Sequence, residues 1–474
     1  MPSAIATRRF QVYFKQVAVT GLVLYILVIL LSSNSSHHSS ELISPIQHKM
    51  APPSPLLEKP PTDISHLVFG IAGSVATWSY RKSYIETWWQ PNVTQGYVFL
   101  DKAPTGDLLP WPSYSPPFRV SEDTSKFEVY SQHAAPSIIK IVRMILETFR
   151  EEDEGVRWYV MADDDTVFVV DNLVEVLAKY NHTKYLYIGG HSECIKSNVD
   201  HSFEMAFGGG GYALSYPLAA ALVTNLDGCI KRYPDYRISD RILQSCISDF
   251  GVSLTAEKGF HQIDLHGDIS GLLSAHPHSP LVSLHHLDVV DPIFPSMNRH
   301  ESIKHLMEAA KIDHSRLLQQ AICYHKQNNW SFSTAWGYSS HIYEQIIPPS
   351  LLKRPLETFR PWIENTRRPH FMFNPRLLLN DPCKAPHVFF FESLVETAGN
   401  QLVTSYIRAS QRDFPACSSG GNHSADRISK IQVFSPKTKP SEIERSECCD
   451  VVHVDGKDMA EVTYRACMKD EIVG

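Results

Sequence analysis

The stretch Arg157-Trp-Tyr-Val-Met-Ala162, followed by Asp163, Asp164 and Asp165, constrains the chain most. A short apolar run ending in acids predicts a buried strand that carries carboxylates to its C-terminal tip, the end at which open α/β sheets bind ligands. Alternate residues of an extended chain face the same way. Asp163 and Asp165 can therefore share one cation while Asp164 points elsewhere. Their hard oxygens suit Mg²⁺, Ca²⁺ or Mn²⁺ better than Zn²⁺. The bland alternative is a solvated acidic turn capping a helix that begins near Asn172. The buried strand before the acids and the apolar Val167-Phe-Val-Val170 after them weigh against it.

At 474 residues the chain is too long for one compact core, and two or more domains are expected. A formal charge of −7 implies no basic surface, which argues against a general affinity for nucleic acid. Gln16 to Leu31 is almost wholly apolar and follows Arg8, Arg9 and Lys15. Its length is short for a membrane span, and no A-x-A cleavage site follows it. The positive-inside rule then makes 1–15 a cytosolic tail, 16–32 a single-pass signal anchor and the rest lumenal, with a cleaved signal peptide as the alternative. A short span fits the thinner membranes of the early secretory pathway. Residues 33–63, rich in Ser, His and Pro, read as a stem. Sequons at Asn34, Asn92, Asn181, Asn329 and Asn422 agree with a lumenal body. So do nine cysteines without paired CxxC spacing, of which at least one is left over from intrachain pairing.

Short apolar strands are expected at His66–Ala72, at Gly96–Leu100 (tipped by Asp101) and at Tyr185–Gly190. A helix is expected over Tyr80–Trp89 and another over about 172–180. Ile138, Ile141, Val142, Ile145, Leu146 and Phe149 fall at helical spacing and make one apolar stripe. Strand and helix alternate, which predicts an α/β fold: a doubly wound, mainly parallel sheet with helices on both faces.

Three further stretches carry chemistry. Phe207-Gly-Gly-Gly-Gly-Tyr212 lets backbone approach a ligand, or else is a plain flexible turn. It opens an apolar segment expected to enter a helix, and lacks the spacing of a P-loop. Asp240 stands at the start of Ile238-Ser-Asp-Arg-Ile-Leu-Gln-Ser-Cys246, either capping that helix or serving as a general base. His276, His278, His285 and His286 crowd around a short strand. An imidazole beside carboxylates is a donor set that Mn²⁺ accepts.

In this order, Asp101, the Trp158-Tyr-Val…Asp-Asp-Asp-Thr stretch, the glycine run, Asp240 and the Leu284-His285 pair resemble the fringe-related β-1,3-glycosyltransferases, closest to a plant branch of fringe-like proteins. The likeness covers about residues 64–300. It implies a type II Golgi membrane protein with a GT-A-like fold over 64–345. It also implies transfer of a hexose or N-acetylhexosamine from a nucleotide sugar, a UDP-sugar, to a glycan or glycoprotein hydroxyl, with inversion and with Mn²⁺. Residue by residue, Asp165 becomes the main metal ligand, with Asp163 and His285 beside it. Asp163 also faces the donor with Asp164 nearby, Asp101 lies near the nucleotide, and Gly209 and Gly210 border the sugar or acceptor. Asp240 becomes the base. The family has Phe before its late metal-binding His where this chain has Leu284, so His286 stays an alternative ligand.

Residues 346–474 carry no motif of that family. Cys383, Cys417, Cys448, Cys449 and Cys467 concentrate there and suggest a small disulfide-stapled module that packs on the rest or binds glycan. A non-catalytic lumenal glycan-binding or scaffold protein would be expected to lack the acids, and Asp163, Asp165 and Asp240 are all present. A two-metal phosphohydrolase would need a second ligand cluster that the sequence does not display.

Overall fold

A computed structural model describes Leu22, Tyr25 and residues 60–473, apart from 128–130, 136, 152, 398, 418–423, 438–445 and 454–457. The expected anchor over 16–32, save Leu22 and Tyr25, and the stem up to residue 59 lie outside the described residues. Among the described residues no helix is long and apolar enough to cross a membrane.

The body opens with β1 (Leu67–Ala72), buried over all but its last residue. Ser74 and Thr77 then form a capping box that starts α1 (Val75–Glu86), five residues before the expected Tyr80, because these hydroxyls satisfy amides that would otherwise be free. Trp88 and Trp89 lie past the end of α1, and Trp88 packs on Phe69 and Phe168. Next come β2 (Gln95–Leu100), β3 (Phe118–Val120), α2 (Ile138–Phe149), β4 (Trp158–Asp163), β5 (Val167–Phe168), α3 (Val170–Ala178), β6 (Tyr187–Gly189), β7 (Tyr212–Ser215), α4 (Tyr216–Arg232), α5 (Ser239–Ser248) and β8 (Leu254–Ala256).

Seven of these strands form one sheet in the order β3-β2-β1-β4-β7-β6-β8. β3, β2, β1 and β4 are mutually parallel, β7 runs antiparallel to β4 and β6, and β8 is parallel to β6. The segment expected to turn straight from glycines into helix is therefore a strand first. A four-residue apolar run has no period that separates the two, and burial of Tyr212 to Ser215 between β4 and β6 decides it. α2 packs on β1, β4, α4 and α5, with Ile139 rather than the exposed Ile141 in its packed face. The chain runs outward from β1 to β3 and then places β4 on the other side of β1. The C-terminal tips of β1 and β4 thus flank a topological switch point, with Ala72 opposite Asp163.

β9 (Phe260–Gln262), β10 (Leu265–Gly267) and β11 (Ser283–His285) follow, and β11 lies between β5 and β9 in a small sheet. After α6 (Arg299–Ile312) come β12 (Gln320–His325), β13 (Trp330–Ala335), β14 (Ser339–Tyr343), β15 (Leu356–Glu357), β16 (Phe359–Pro361), β17 (Arg376–Leu377), β18 (His387–Thr397), β19 (Gln401–Arg408), β20 (Lys430–Pro436), β21 (Cys448–His453) and β22 (Met459–Arg465). Eight of them make a second sheet, β12-β13-β14-β18-β19-β20-β22-β21, antiparallel except between β20 and β22. The expected mainly parallel architecture is corrected accordingly: the first sheet is mixed and the second almost wholly antiparallel. Burial alternates residue by residue along β20 and β22, as in a sheet with one face toward water.

The two sides of position 345 share this second sheet, since β14 pairs with β18. Cys323–Cys449 joins β12 to β21, the strands at the two ends of its order, while Cys383–Cys417 and Cys448–Cys467 close shorter loops. Cys229–Cys246 ties α4 to α5, and Cys194 is left free and buried.

Glu344 holds the end of β14 to the loops beyond it. Its carboxylate, in a residue 5% exposed, accepts from His387 Nε2 (2.8 Å), Ser424 Oγ (2.8 Å) and the amides of Cys417 and Ala425 (2.9 Å each), and Arg412 Nη2 stands 2.8 Å away. Burial opposes its charge, but these bonds outweigh it and hold the carboxyl down to about 2. His387 is lowered too, chiefly by burial, and accepts Arg408 at Nδ1, so the pair is a carboxylate and a neutral imidazole. A depressed carboxyl adds stability above its unfolded pKa, and that stability is lost as pH falls toward 2. The shift corresponds to about 3 kcal/mol. Urea unfolding of Glu344→Gln should show lower stability at pH 7 and a flatter loss between pH 4.5 and 2 than the parent chain; equal acid slopes would contradict this.

Candidate metal centre

β4 delivers its acids into a turn pinned by Thr166, whose hydroxyl accepts the Asp163 amide (3.0 Å) and donates to the Gly209 carbonyl (2.7 Å). Asp165 is fully buried and Asp164 is 2% exposed, while the Asp163 side chain remains 40% exposed. This is no solvated turn, and α3 has no side-chain cap. β11, held against β5, brings His285 over the acids. Its Nε2 lies 3.1 Å from Asp165 Oδ1 and 3.8 Å from Asp163 Oδ2. One ligand atom from each of Asp163, Asp165 and His285 falls within 4.8 Å of the others.

The surroundings fix which face of the imidazole meets the acids. Asp264 accepts from Gln262 Nε2 (3.0 Å), which leaves Gln262 Oε1 to accept His285 Nδ1 (3.0 Å). The lone pair of Nε2 then points at carboxylate oxygens, an arrangement that a shared cation relieves. Asp165 Oδ2 is buried without a hydrogen-bond partner. Burial opposes charge on Asp165, and the Arg81 guanidinium 3.4 Å away favours it. Partial burial and the charges of Asp165, Asp240 and Asp164 push Asp163 upward, the 40% of its side chain that meets solvent limiting the effect. An imidazole nitrogen, an orphaned carboxylate oxygen and a second, strained acid together fit a divalent cation.

The glycine run earns its composition here. A Cβ on Gly209 would lie 2.1 Å from His285 Cε1, and one on Gly208 2.5 Å from Asp240 Oδ1. Gly210 is tied to β11 through its carbonyl, which accepts Ser283 Oγ. Gly209, expected to border a ligand, makes room for the site's own imidazole. Asp240 stands in the first turn of α5, but that helix has Ile238 at its N-cap and no side-chain cap. Its Oδ2 accepts the Gly208 amide (2.8 Å), and burial raises its pKa. Asp240 and Asp163 line the same narrow pocket, with Ile141, Met161 and Tyr212.

Other expected residues sit apart from the cluster. Asp101 is exposed and accepts the Val75 amide (2.8 Å) at the start of α1. Asp164 accepts Thr77 Oγ1 and Arg81 Nη1 (3.1 Å), so both of its oxygens are occupied. His286 adopts a left-handed φ of +66°, turns its Nδ1 to Asp264 (3.0 Å) and stacks on Trp362, so that His285, not His286, joins Asp163 and Asp165 in the cluster that could hold a metal. Arg81 was not singled out in the sequence. It bridges Asp164, Asp165 (3.4 Å) and Asp288 (2.5 Å); its one visible signal is a place one helical turn after the capping Thr77.

A family model described as "Protein of unknown function, DUF604" matches residues 197–449, more than half of the chain, including the glycine run, Asp240 and His285. No curated protein matches the chain. Gln262→Leu should weaken Mn²⁺ binding by about 10- to 100-fold, the usual effect of removing a partner that orients a metal-ligating His. Isothermal titration calorimetry checks this, and an unchanged Kd would remove Gln262 from that role.

Proposed function

The chain belongs to the DUF604 family, a glycosyltransferase-like family, and we propose that it is a metal-dependent inverting glycosyltransferase. It would move a hexose or N-acetylhexosamine from a UDP-sugar to a hydroxyl of a glycan or glycoprotein. The observation that carries this reading is the Asp163–Asp165–His285 cluster, whose Asp163 lines one pocket with Asp240, at the switch point between β1 and β4. The strand order, with a single antiparallel strand (β7) inside a sheet otherwise built of parallel runs, supports a GT-A-like fold for this half. The apolar stretch 16–32 after basic residues supports a Golgi type II anchor with this body lumenal.

In this reading Asp165 and His285 hold Mn²⁺, with Asp163 as the acid that opens toward the donor. When bound, the cation neutralises charge on the leaving diphosphate. Asp240 accepts the proton of the acceptor hydroxyl as it attacks the anomeric carbon from the face opposite the diphosphate. Its raised pKa makes it a better proton acceptor than a surface carboxylate, and the Gly208 amide fixes its carboxylate through Oδ2. Arg81 keeps Asp164 and Asp165 ionised from behind.

A panel of UDP-sugars assayed for UDP release, with and without Mn²⁺, tests the activity. Asp240→Asn should lower turnover by about 10²- to 10⁴-fold, the typical worth of a general base, with Mn²⁺ affinity retained. Asp165→Ala should abolish both Mn²⁺ binding and transfer while the chain stays folded. Turnover that is indifferent to Mn²⁺, or to either substitution, would sink the proposal.

A further inference from the structure

A cavity of about 580 Å³ opens between the loop that follows β14 and strand β17. Small-molecule sites commonly occupy roughly 300–1,000 Å³. One part of its lining is apolar: Ile346, Leu351, Leu377 and Leu379 all face it and all remain exposed. Exposed apolar side chains gathered in one concavity mark a binding surface, unlike single ones scattered over a protein. The other part is cationic. Arg354 donates to the carbonyls of Asn374 (3.3 Å) and Pro375 (2.6 Å), and Arg376 to the carbonyl of Arg354 (3.2 Å) and the hydroxyl of Tyr343.

Those partners orient the two guanidinium groups without cancelling their charge. Among the described residues neither arginine has a carboxylate in ion-pair reach, and both use Nε and Nη2 while Nη1 makes no bond. The other two cations of the lining are neutralised, Arg368 by Glu357 (2.8 Å) and Lys384 by Asp381 (3.1 Å). Two oriented, uncompensated guanidiniums beside an apolar wall suit a ligand with one anionic end and a hydrocarbon body. A sugar acid would leave the leucines without a partner.

We propose that this cavity binds an anionic amphiphile, its acyl chain on the Ile346, Leu351, Leu377 and Leu379 wall and its carboxylate between Arg354 and Arg376. The site is independent of the sugar-transfer reading and stands or falls without it.

The full chain, photolabelled with a diazirine-bearing palmitate analogue and mapped by peptide mass spectrometry, tests the proposal. Label should appear within 345–354 and 375–384. Palmitate should displace it at least about tenfold better than palmitate methyl ester, the worth of one charge-assisted hydrogen bond, and acetate should not displace it. The double variant Arg354→Gln/Arg376→Gln should lose labelling there. Leu379→Asp, at an exposed position where the fold tolerates charge, should lose it as well. No label in these segments, an ester that competes as well as the acid, or both variants labelling like the parent chain would overturn the proposal.

Discussion

A carboxylate with no exposed surface is costly unless charge and hydrogen bonds surround it, and Asp165 is in that position at the end of β4. Its neighbours are arranged to meet the cost. Arg81 approaches from α1 with the opposite charge, and His285, its ring set by Gln262 and Asp264, brings from β11 a nitrogen with which Asp165 could share a cation. The glycine at 209 exists so that the ring can come close enough. Local sequence, sheet topology and site chemistry meet at this one buried charge, and the switch point between β1 and β4 exposes Asp163 beside it.

The acid-tipped strand was legible because a five-residue apolar run closed by acids has few other uses, and Asp240 and His285 stood out by residue type and order. Arg81 was not. Its partners lie 83 and 207 residues away, and no local pattern marks an arginine on this helix as a counter-ion. The choice between His285 and His286 depended on a backbone angle and an outer hydrogen bond, neither of which a sequence displays. β7 escaped for a different reason: its four residues are buried on both faces, so they show neither the alternation of a half-solvated strand nor the length of a helix. In β20 and β22 the period-two signal stands in Lys430-Ile-Gln-Val-Phe and Met459-Ala-Glu-Val-Thr-Tyr, but their parallel pairing with each other is a long-range fact.

The second half of the chain is not an appendage to the first. β16 pairs with β10, the next residue, Trp362, stacks against both His266 and His286, and so a segment from the far side of position 345 steadies the stretch that carries His285. Perturbing that stack would reach the site through His286 and Asp264 without touching any residue that faces the pocket.

The bond between Cys323 and Cys449 has a consequence for where such a chain can mature. It fastens together the first and last strands of an eight-stranded order, whose outer edges would otherwise be open to pairing with other molecules. In the reducing cytosol that clasp cannot persist, and newly made protein would display two sticky margins at once. Heterologous production would thus give soluble material from a secretory route and inclusion bodies from a cytosolic one.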